Sequence, residues 1–156
     1  MPHISPPHAE DIITTARSWI GTRFLHQGRL KKTTTHKGGV DCLGLLIGVA
    51  SELRLTDANG APLAHYDNTQ YTHMPDTTTL RYWLTTLLSP KPVAELAPGD
   101  VALLNMDGNP QHLAIIGQSQ QGRLTLIHAY AQVRKVVEHE LDDVWKASLV
   151  AGYGMK

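Results

Sequence analysis

The sequence predicts a single α+β domain, with helices in its first half and an antiparallel sheet in its second. Apolar residues recur at helical spacing as far as Leu88, and after Pro98, Gly99 and Asp100 the period changes to that of strands. Helices that precede an antiparallel sheet along the chain are typical of the α+β class. A chain of 156 residues has the usual size of one domain. We therefore expect residues 1–156 to form one domain.

Composition and charge argue against several classes of protein. With 42% hydrophobic and 18% charged residues, the chain can bury a core and does not resemble a disordered protein. Its 14 basic and 14 acidic residues balance, so no nucleic-acid partner is expected. The longest apolar stretch, from Cys42 to Ala50, is shorter than the roughly 20 residues of a spanning helix, so membrane insertion is not expected. The first residues lack a signal-peptide pattern, which predicts synthesis in the cytoplasm without a leader.

Three helices are predicted, separated by two polar loops. The first helix has a cap at Ser5 and prolines at Pro6 and Pro7, and it ends at Gly21. The second begins at Asp41 or Cys42, and the third runs from a cap at Asp76 to the prolines Pro90 and Pro92. In the second helix, Gly44 and Gly48 would let another element approach the backbone closely. The loops cover residues 22–40 and 56–75.

Alternating patterns bounded by turn residues predict four antiparallel strands after Asp100, with a possible short edge strand at Leu149–Tyr153. The four strands are placed at Val101–Met106, His112–Gly117, Arg123–His128 and Val133–His139.

Cys42 is the single cysteine of the chain and the first candidate for catalytic chemistry. At the start of a helix, free N–H groups and the helix dipole favour a thiolate, so we expect a lowered thiol pKa. A lone cysteine that opens an apolar helix is also, in many proteins, a small core residue. Cys42 alone does not decide between these interpretations.

His112 and His128 are candidates for the partners of that cysteine. His112 begins one predicted strand and His128 ends the next, so the hairpin brings both side chains to the same edge of the sheet. A hydrogen bond between the two rings is therefore geometrically reasonable. Cysteine–histidine catalysis uses an imidazole as the base and a third group that orients it. The alternatives are histidines whose nitrogens bond to the backbone, or a zinc site made by Cys42, His112 and His128.

Five short motifs occur in a characteristic order along the chain. Together they resemble the NlpC-type cell-wall cysteine endopeptidases, a family with a papain-like α+β fold. The motifs are GTRFLHQG at 21–28, DCLGL at 41–45, PGDVAL at 98–103, HLAIIG at 112–117 and IHA at 127–129.

The resemblance implies a role for each candidate residue. Cys42 would be the nucleophile, His112 the base and His128 the residue that orients it, with Asp41 structural. The family often has Tyr where this chain has Phe24. His26 and Gln27 differ from the common residues as well, and either could donate to the oxyanion beside the backbone N–H of Cys42. No cofactor and no metal is implied.

The resemblance also implies an activity, which is hydrolysis of peptidoglycan stem peptides at the γ-D-glutamyl to diamino-acid bond. The short stand-alone form resembles peptidases encoded with phage tails and gene-transfer agents, which suggests tail proteins as partners and the cell wall as the place of action. The basic loop with Arg29, Lys31 and Lys32 is a candidate for binding a substrate carboxylate, although a solvated polar loop is the favoured explanation. Two alternatives stay open: a catalytically silent tail or assembly module, and a cysteine amidase or acyltransferase.

Overall fold

The computed structural model describes residues 9–56, 62, 77–106 and 109–155, and in these ranges it shows four α-helices, two short 3₁₀-helices and eight strands. The helices are α1 Ala9–Arg17, α2 Cys42–Glu52, α3 Thr77–Leu87 and α4 Asp143–Lys146. The strands are β1 Arg29–Leu30, β2 Gly39–Val40, β3 Ser89–Lys91, β4 Val101–Met106, β5 Asn109–Gln118, β6 Leu124–Tyr130, β7 Lys135–Glu140 and β8 Leu149–Gly154. None of the helices in these ranges is long and apolar enough to span a membrane.

Six strands form one antiparallel sheet in the order β3-β8-β4-β5-β6-β7, and β1 pairs with β2 in a separate ribbon. This arrangement confirms the predicted α+β class. The sheet extends one step beyond β7, because the segment after α1 bonds to it through Gly21, Thr22 and Phe24. That contact brings the loop before α2 to the same side of the molecule as β6 and β7.

The two faces of the sheet pack against different partners. Leu113 and Ile115 point to the main core, which they share with the apolar residues of α1, α2 and α3. Ala114 and Ile116 point to a second, smaller cluster, which Trp145 of α4 covers in part. This alternation along β5 follows from the period of two in a strand, and it agrees with the predicted pattern.

Helix α2 is buried on almost all sides, because it is wedged between α1, β1 and the sheet. Two glycines permit this packing. A Cβ atom on Gly44 would overlap the carbonyl oxygen of Gly28, and one on Gly48 would overlap the ring of Trp19. The predicted close approach at both glycines is therefore confirmed.

Several predicted boundaries are wrong. Helix α1 ends at Arg17 and is followed by turns that lead to Gly21, whose φ is 91°. The predicted edge strand at Leu149–Tyr153 lies inside the sheet, between β3 and β4. Its outer neighbour β3 was missed, because Pro90 and Pro92 were assigned only to the end of the third helix, yet an edge strand tolerates proline. The expected caps at Ser5 and Asp76, the prolines Pro6 and Pro7 and most of the 56–75 loop lie outside the described residues.

Candidate active site

The side chain of Cys42 lies where two neighbouring strands stop pairing. The ladder between β5 and β6 ends at the Ile115–Ile127 pair, although both strands continue toward His112 and Tyr130. Cys42 lines a small cavity there with Leu113, and the backbone N–H of Leu113 bonds to its sulfur. Leu113 directly follows His112, so the backbone of the candidate base lies next to the residue that bonds to the thiol.

Asp41 fixes the start of α2, and with it the position of Cys42. One carboxylate oxygen accepts hydrogen bonds from the Gly44 N–H at 2.7 Å and from Arg29 at 3.0 Å. The other oxygen accepts from the Gln27 N–H at 2.9 Å. Asp41 is only 1% exposed, so its charge is balanced inside the protein by Arg29 and these N–H groups. These contacts agree with the structural role expected for Asp41.

Three histidine rings form a continuous hydrogen-bonded chain across β5, β6 and β7. The Nε2 atom of His112 lies 2.6 Å from Nδ1 of His128, as the predicted ring contact requires. The Nε2 atom of His128 lies 2.8 Å from Nε2 of His139. At the far end, Nδ1 of His139 lies 3.0 Å from the backbone oxygen of Glu140. His128 therefore uses both ring nitrogens within the chain.

His139 was not predicted as a site residue, because two predicted strand boundaries are wrong. The predicted strands Arg123–His128 and Val133–His139 place His139 at the opposite end of the hairpin from His128. In the structure β6 continues to Tyr130 and β7 begins at Lys135, so that His128 faces Val137. His139 is then two residues away on the same face, within reach of a diagonal contact.

Aromatic side chains enclose the middle of this chain. The ring of Tyr130 stacks on His128 with centroids 5.1 Å apart. The indole of Trp145 meets His128 edge-on at 5.3 Å and lies 4.7 Å from His139. His128 is consequently 0% exposed. Trp145 and Tyr130, like His139, were not predicted to belong to the site.

Burial favours the neutral forms of both the thiol and the imidazoles. It raises the pKa of Cys42 to about 12, with a further contribution from the Asp41 carboxylate. Burial and the neighbouring His139 lower the pKa of His112 to about 4, and burial with His112 and His139 lowers that of His128 to about 2. The predicted lowering of the thiol pKa is therefore wrong: the helix N-terminus does not compensate for the loss of solvent. At neutral pH the Cys42 side chain is therefore a thiol and the His112 ring is uncharged.

The loop with the remaining candidate residues lies against the start of α2. Phe24 is half-buried, packs on the core and pairs with Val40. Gln27 is half-buried in a left-handed conformation, with φ at 61°, and its N–H bonds to Asp41. His26 is exposed on the same loop. The structure thus brings the backbone of this loop beside Cys42, while donation to an oxyanion by His26 or Gln27 stays a prediction.

Two of the three basic residues ahead of Cys42 have partners within the chain. Arg29 pairs with Asp41, and Lys31 lies 3.1 Å from Glu52 and 2.7 Å from the hydroxyl of Ser18. These contacts favour a structural role for the two charges over the capture of a substrate carboxylate.

The alternative of a zinc site conflicts with the hydrogen bonds of the rings. A zinc ligand needs a ring nitrogen with an available lone pair, and both nitrogens of His128 are engaged by other histidines. Across residues 9–56, 62, 77–106 and 109–155, no group of three or more His, Cys, Asp or Glu side chains is arranged to hold a metal ion.

Comparison by sequence identifies no relatives. No protein-family model matches the chain, and no curated protein matches it significantly.

Comparison by structure does find similar proteins. The NlpC/p60 domain of the peptidoglycan hydrolase SagA is 17% identical with a TM-score of 0.60, and the match covers 96% of this chain and 100% of that domain. An N-acetylmuramoyl-L-alanine amidase from Bacteroides uniformis is 12% identical with a TM-score of 0.63, covering 95% and 98% of the two chains. An NlpC/p60 family protein from Bacillus cereus is 17% identical with a TM-score of 0.58, and 96% of this chain matches 40% of that one. The chain therefore has the NlpC/p60 fold, the papain-like α+β architecture that its five motifs predicted.

Proposed function

We propose that the protein is a cysteine hydrolase that cleaves an amide bond in the peptide part of bacterial peptidoglycan. The observation that carries the proposal is the hydrogen-bonded chain of His112, His128 and His139, which begins next to the residue that bonds to the only thiol. The Cys42 sulfur bonds to the N–H of Leu113, and the preceding residue, His112, begins that chain. A core cysteine needs no such neighbours.

The names of similar structures support the substrate class. One is a peptidoglycan hydrolase and another is an N-acetylmuramoyl-L-alanine amidase, and both are matched over nearly their whole length. The chemistry of a thiol agrees with an acyl substrate, because a sulfur nucleophile attacks an acyl carbon. Glycosidic bonds are instead usually cut by a pair of carboxylates.

The reaction would begin from the neutral pair. As the sulfur of Cys42 attacks the acyl carbon, its proton passes to Nδ1 of His112, and the oxyanion is held by the N–H of Cys42 with a donor from His26 or Gln27. The C–N bond then breaks, and the amine leaves with the proton from His112. A water molecule, deprotonated by His112, attacks the thioester, releasing the acid and restoring the thiol. His128 orients the His112 ring throughout.

The bond proposed for cleavage is the one between γ-D-glutamate and the diamino acid, as the motif resemblance implies. A second candidate is the amide between N-acetylmuramic acid and L-alanine, favoured by the amidase among the similar structures. Both reactions use the same nucleophile and base, and only the shape of the pocket separates them.

Delivery by a phage-type tail is proposed on the motif resemblance alone. It predicts that the protein is found in purified tail particles and is absent from the soluble fraction after assembly. Detection of the protein only as a free species would contradict this part of the proposal.

The activity is tested by digesting purified sacculi with the wild type, with Cys42→Ala and with Ser51→Ala as a control. Ser51 is exposed on α2, so its change leaves the site intact. We expect the wild type and Ser51→Ala to release peptides that begin with the diamino acid, identified by mass spectrometry, and to leave L-Ala–D-Glu on the glycan. Cys42→Ala should release none. Peptides that begin with intact L-alanine would identify the amidase. No release from any wall type would mean that the protein is a silent module.

A further inference from the structure

His139 stands outside the set of residues that the motifs identify, yet it ends the histidine chain. Its ring is half-buried between Trp145 and His128, and it bonds to Glu140 and to His128 through different nitrogens. A histidine with both nitrogens engaged has a defined tautomer, because each nitrogen must either donate or accept.

The hydrogen-bond partner of His139 Nδ1 determines which ring nitrogens donate and which accept along the histidine chain. A carbonyl oxygen only accepts, so Nδ1 of His139 carries a proton and donates it to Glu140. In the neutral ring, Nε2 of His139 then accepts, and Nε2 of His128 must donate to it. This leaves Nδ1 of His128 as an acceptor.

The same argument gives the tautomer of His112, the candidate base. Since Nδ1 of His128 accepts, Nε2 of His112 must donate to it. The lone pair of neutral His112 is therefore on Nδ1, the nitrogen not used in the chain. A base that takes the thiol proton needs its lone pair on that nitrogen.

We propose that His139 is a positioning residue that fixes, through His128, the tautomer in which His112 can act as a base. This inference rests on the proposed function for its effect on catalysis, while its effect on the tautomer is independent of any activity. Without an acceptor at residue 139, the His128 ring has no reason to donate from Nε2. It can then donate from Nδ1 to His112, which moves the proton of His112 to Nδ1 and removes the base.

The test compares three variants with the wild type. His139→Leu removes the acceptor, whereas His139→Gln places an amide oxygen close to the position of Nε2. Trp145→Phe changes the packing around the ring but leaves its hydrogen bonds, and so serves as the control for packing. The ring tautomers are measured by long-range ¹H–¹⁵N correlation NMR, and kcat and KM by release of peptide from sacculi.

In the wild type we expect His112 and His128 as Nε2–H tautomers and His139 as the Nδ1–H tautomer. His139→Leu should show the Nδ1–H form of His112, with a loss in kcat of about 10- to 100-fold and little change in KM, part of the roughly 10²–10⁴-fold that acid–base catalysis contributes. His139→Gln and Trp145→Phe should keep the wild-type tautomers, and His139→Gln should keep most of kcat.

Two results would overturn the inference. One is a wild type in which His112 carries its proton on Nδ1. The other is a His139→Leu variant that keeps the wild-type tautomers, or a Trp145→Phe variant that loses them to the same extent, since packing alone would then explain the effect. If the wild type releases nothing from sacculi, the proposed function fails, and the NMR data still decide the inference. If His139→Leu does not fold, two measurements decide the inference. They are the tautomers of the wild type and the comparison of His139→Gln with Trp145→Phe.

Discussion

At the scale of single residues, burial decides the protonation of the site. A helix N-terminus stabilises a negative charge by about 0.3–1 kcal/mol at exposed positions. A rise of the Cys42 pKa from its ordinary 9.0 to about 12 corresponds to about 4 kcal/mol in the opposite direction. The position of Cys42 at a helix start was predictable from Asp41 and the apolar residues that follow. Its pKa was not, because the sheet that covers it is assembled from residues far along the chain.

The neutral resting pair leads to a prediction about pH. Because His112 takes up a proton only near pH 4, kcat/KM should stay constant from mildly acidic to mildly alkaline pH and fall as the pH approaches 4. The rate of alkylation by iodoacetamide should instead keep rising with pH, since the thiolate forms only toward pH 12. Both rates are measured on the wild type, with Cys42→Ser as the blank for alkylation. A fast alkylation that is constant between mildly acidic and neutral pH would contradict the neutral pair.

At the scale of elements, the contact between α2 and the loop before it determines what surrounds the thiol. The carbonyl oxygen of Gly28 lies directly against Gly44, and Asp41 ties the neighbouring Gln27 to the same helix. The glycine at position 44 and the cap at Asp41 were readable from the sequence. The partner of Gly44 was not, because nothing in a local pattern indicates which distant backbone will approach it.

Gly44→Ala tests this contact. The added methyl group meets backbone atoms, which cannot rotate away, so we expect a loss of about 1–3 kcal/mol in the free energy of unfolding. Activity should fall as well, because the loop with Gln27 must move away from Cys42. Urea unfolding measures the stability, and Ser51→Ala on the exposed side of α2 is the matched control. Equal stability of Gly44→Ala and Ser51→Ala would mean that position 44 does not lie in close contact with the carbonyl oxygen of Gly28.

At the scale of the whole molecule, the histidine chain makes folding sensitive to acid. His112 and His128 are kept neutral in the folded protein, with pKa values of about 4 and about 2, while the ordinary value of 6.5 applies to the unfolded chain. Below pH 6.5 the unfolded chain therefore binds more protons than the native one, and stability falls as the pH falls. The sequence predicted the α+β class and the meeting of two histidines. The number of histidines in the hydrogen-bonded chain was not predictable, because it depends on the exact ends of the strands, which local patterns define poorly.

The size of this acid effect can be predicted. Each of the two groups lowers the free energy of unfolding by about 1.4 kcal/mol per pH unit, so at about pH 5 the pair costs about 4 kcal/mol relative to neutral pH. Urea unfolding at the two pH values measures this difference. In His128→Phe the difference should shrink to about half. Burial acts to raise the pKa of Glu138, but its bonds to Arg17 and Thr125 lower it overall, so Glu138 adds a further loss of stability only below its ordinary pKa of 4.5. A wild type equally stable at both pH values would contradict the buried neutral rings.

The gap between β5 and β6 has a consequence for how the protein folds. The thiol comes from the first half of the chain, and the Leu113 N–H that bonds to it comes from the second. Contacts of such long sequence separation form late and slowly, because the entropy of closing the intervening loop is lost before any contact is gained. A partly synthesised or partly folded chain therefore contains Cys42 without its histidines. The proposed cysteine hydrolase therefore becomes competent only after the second half of the chain has folded.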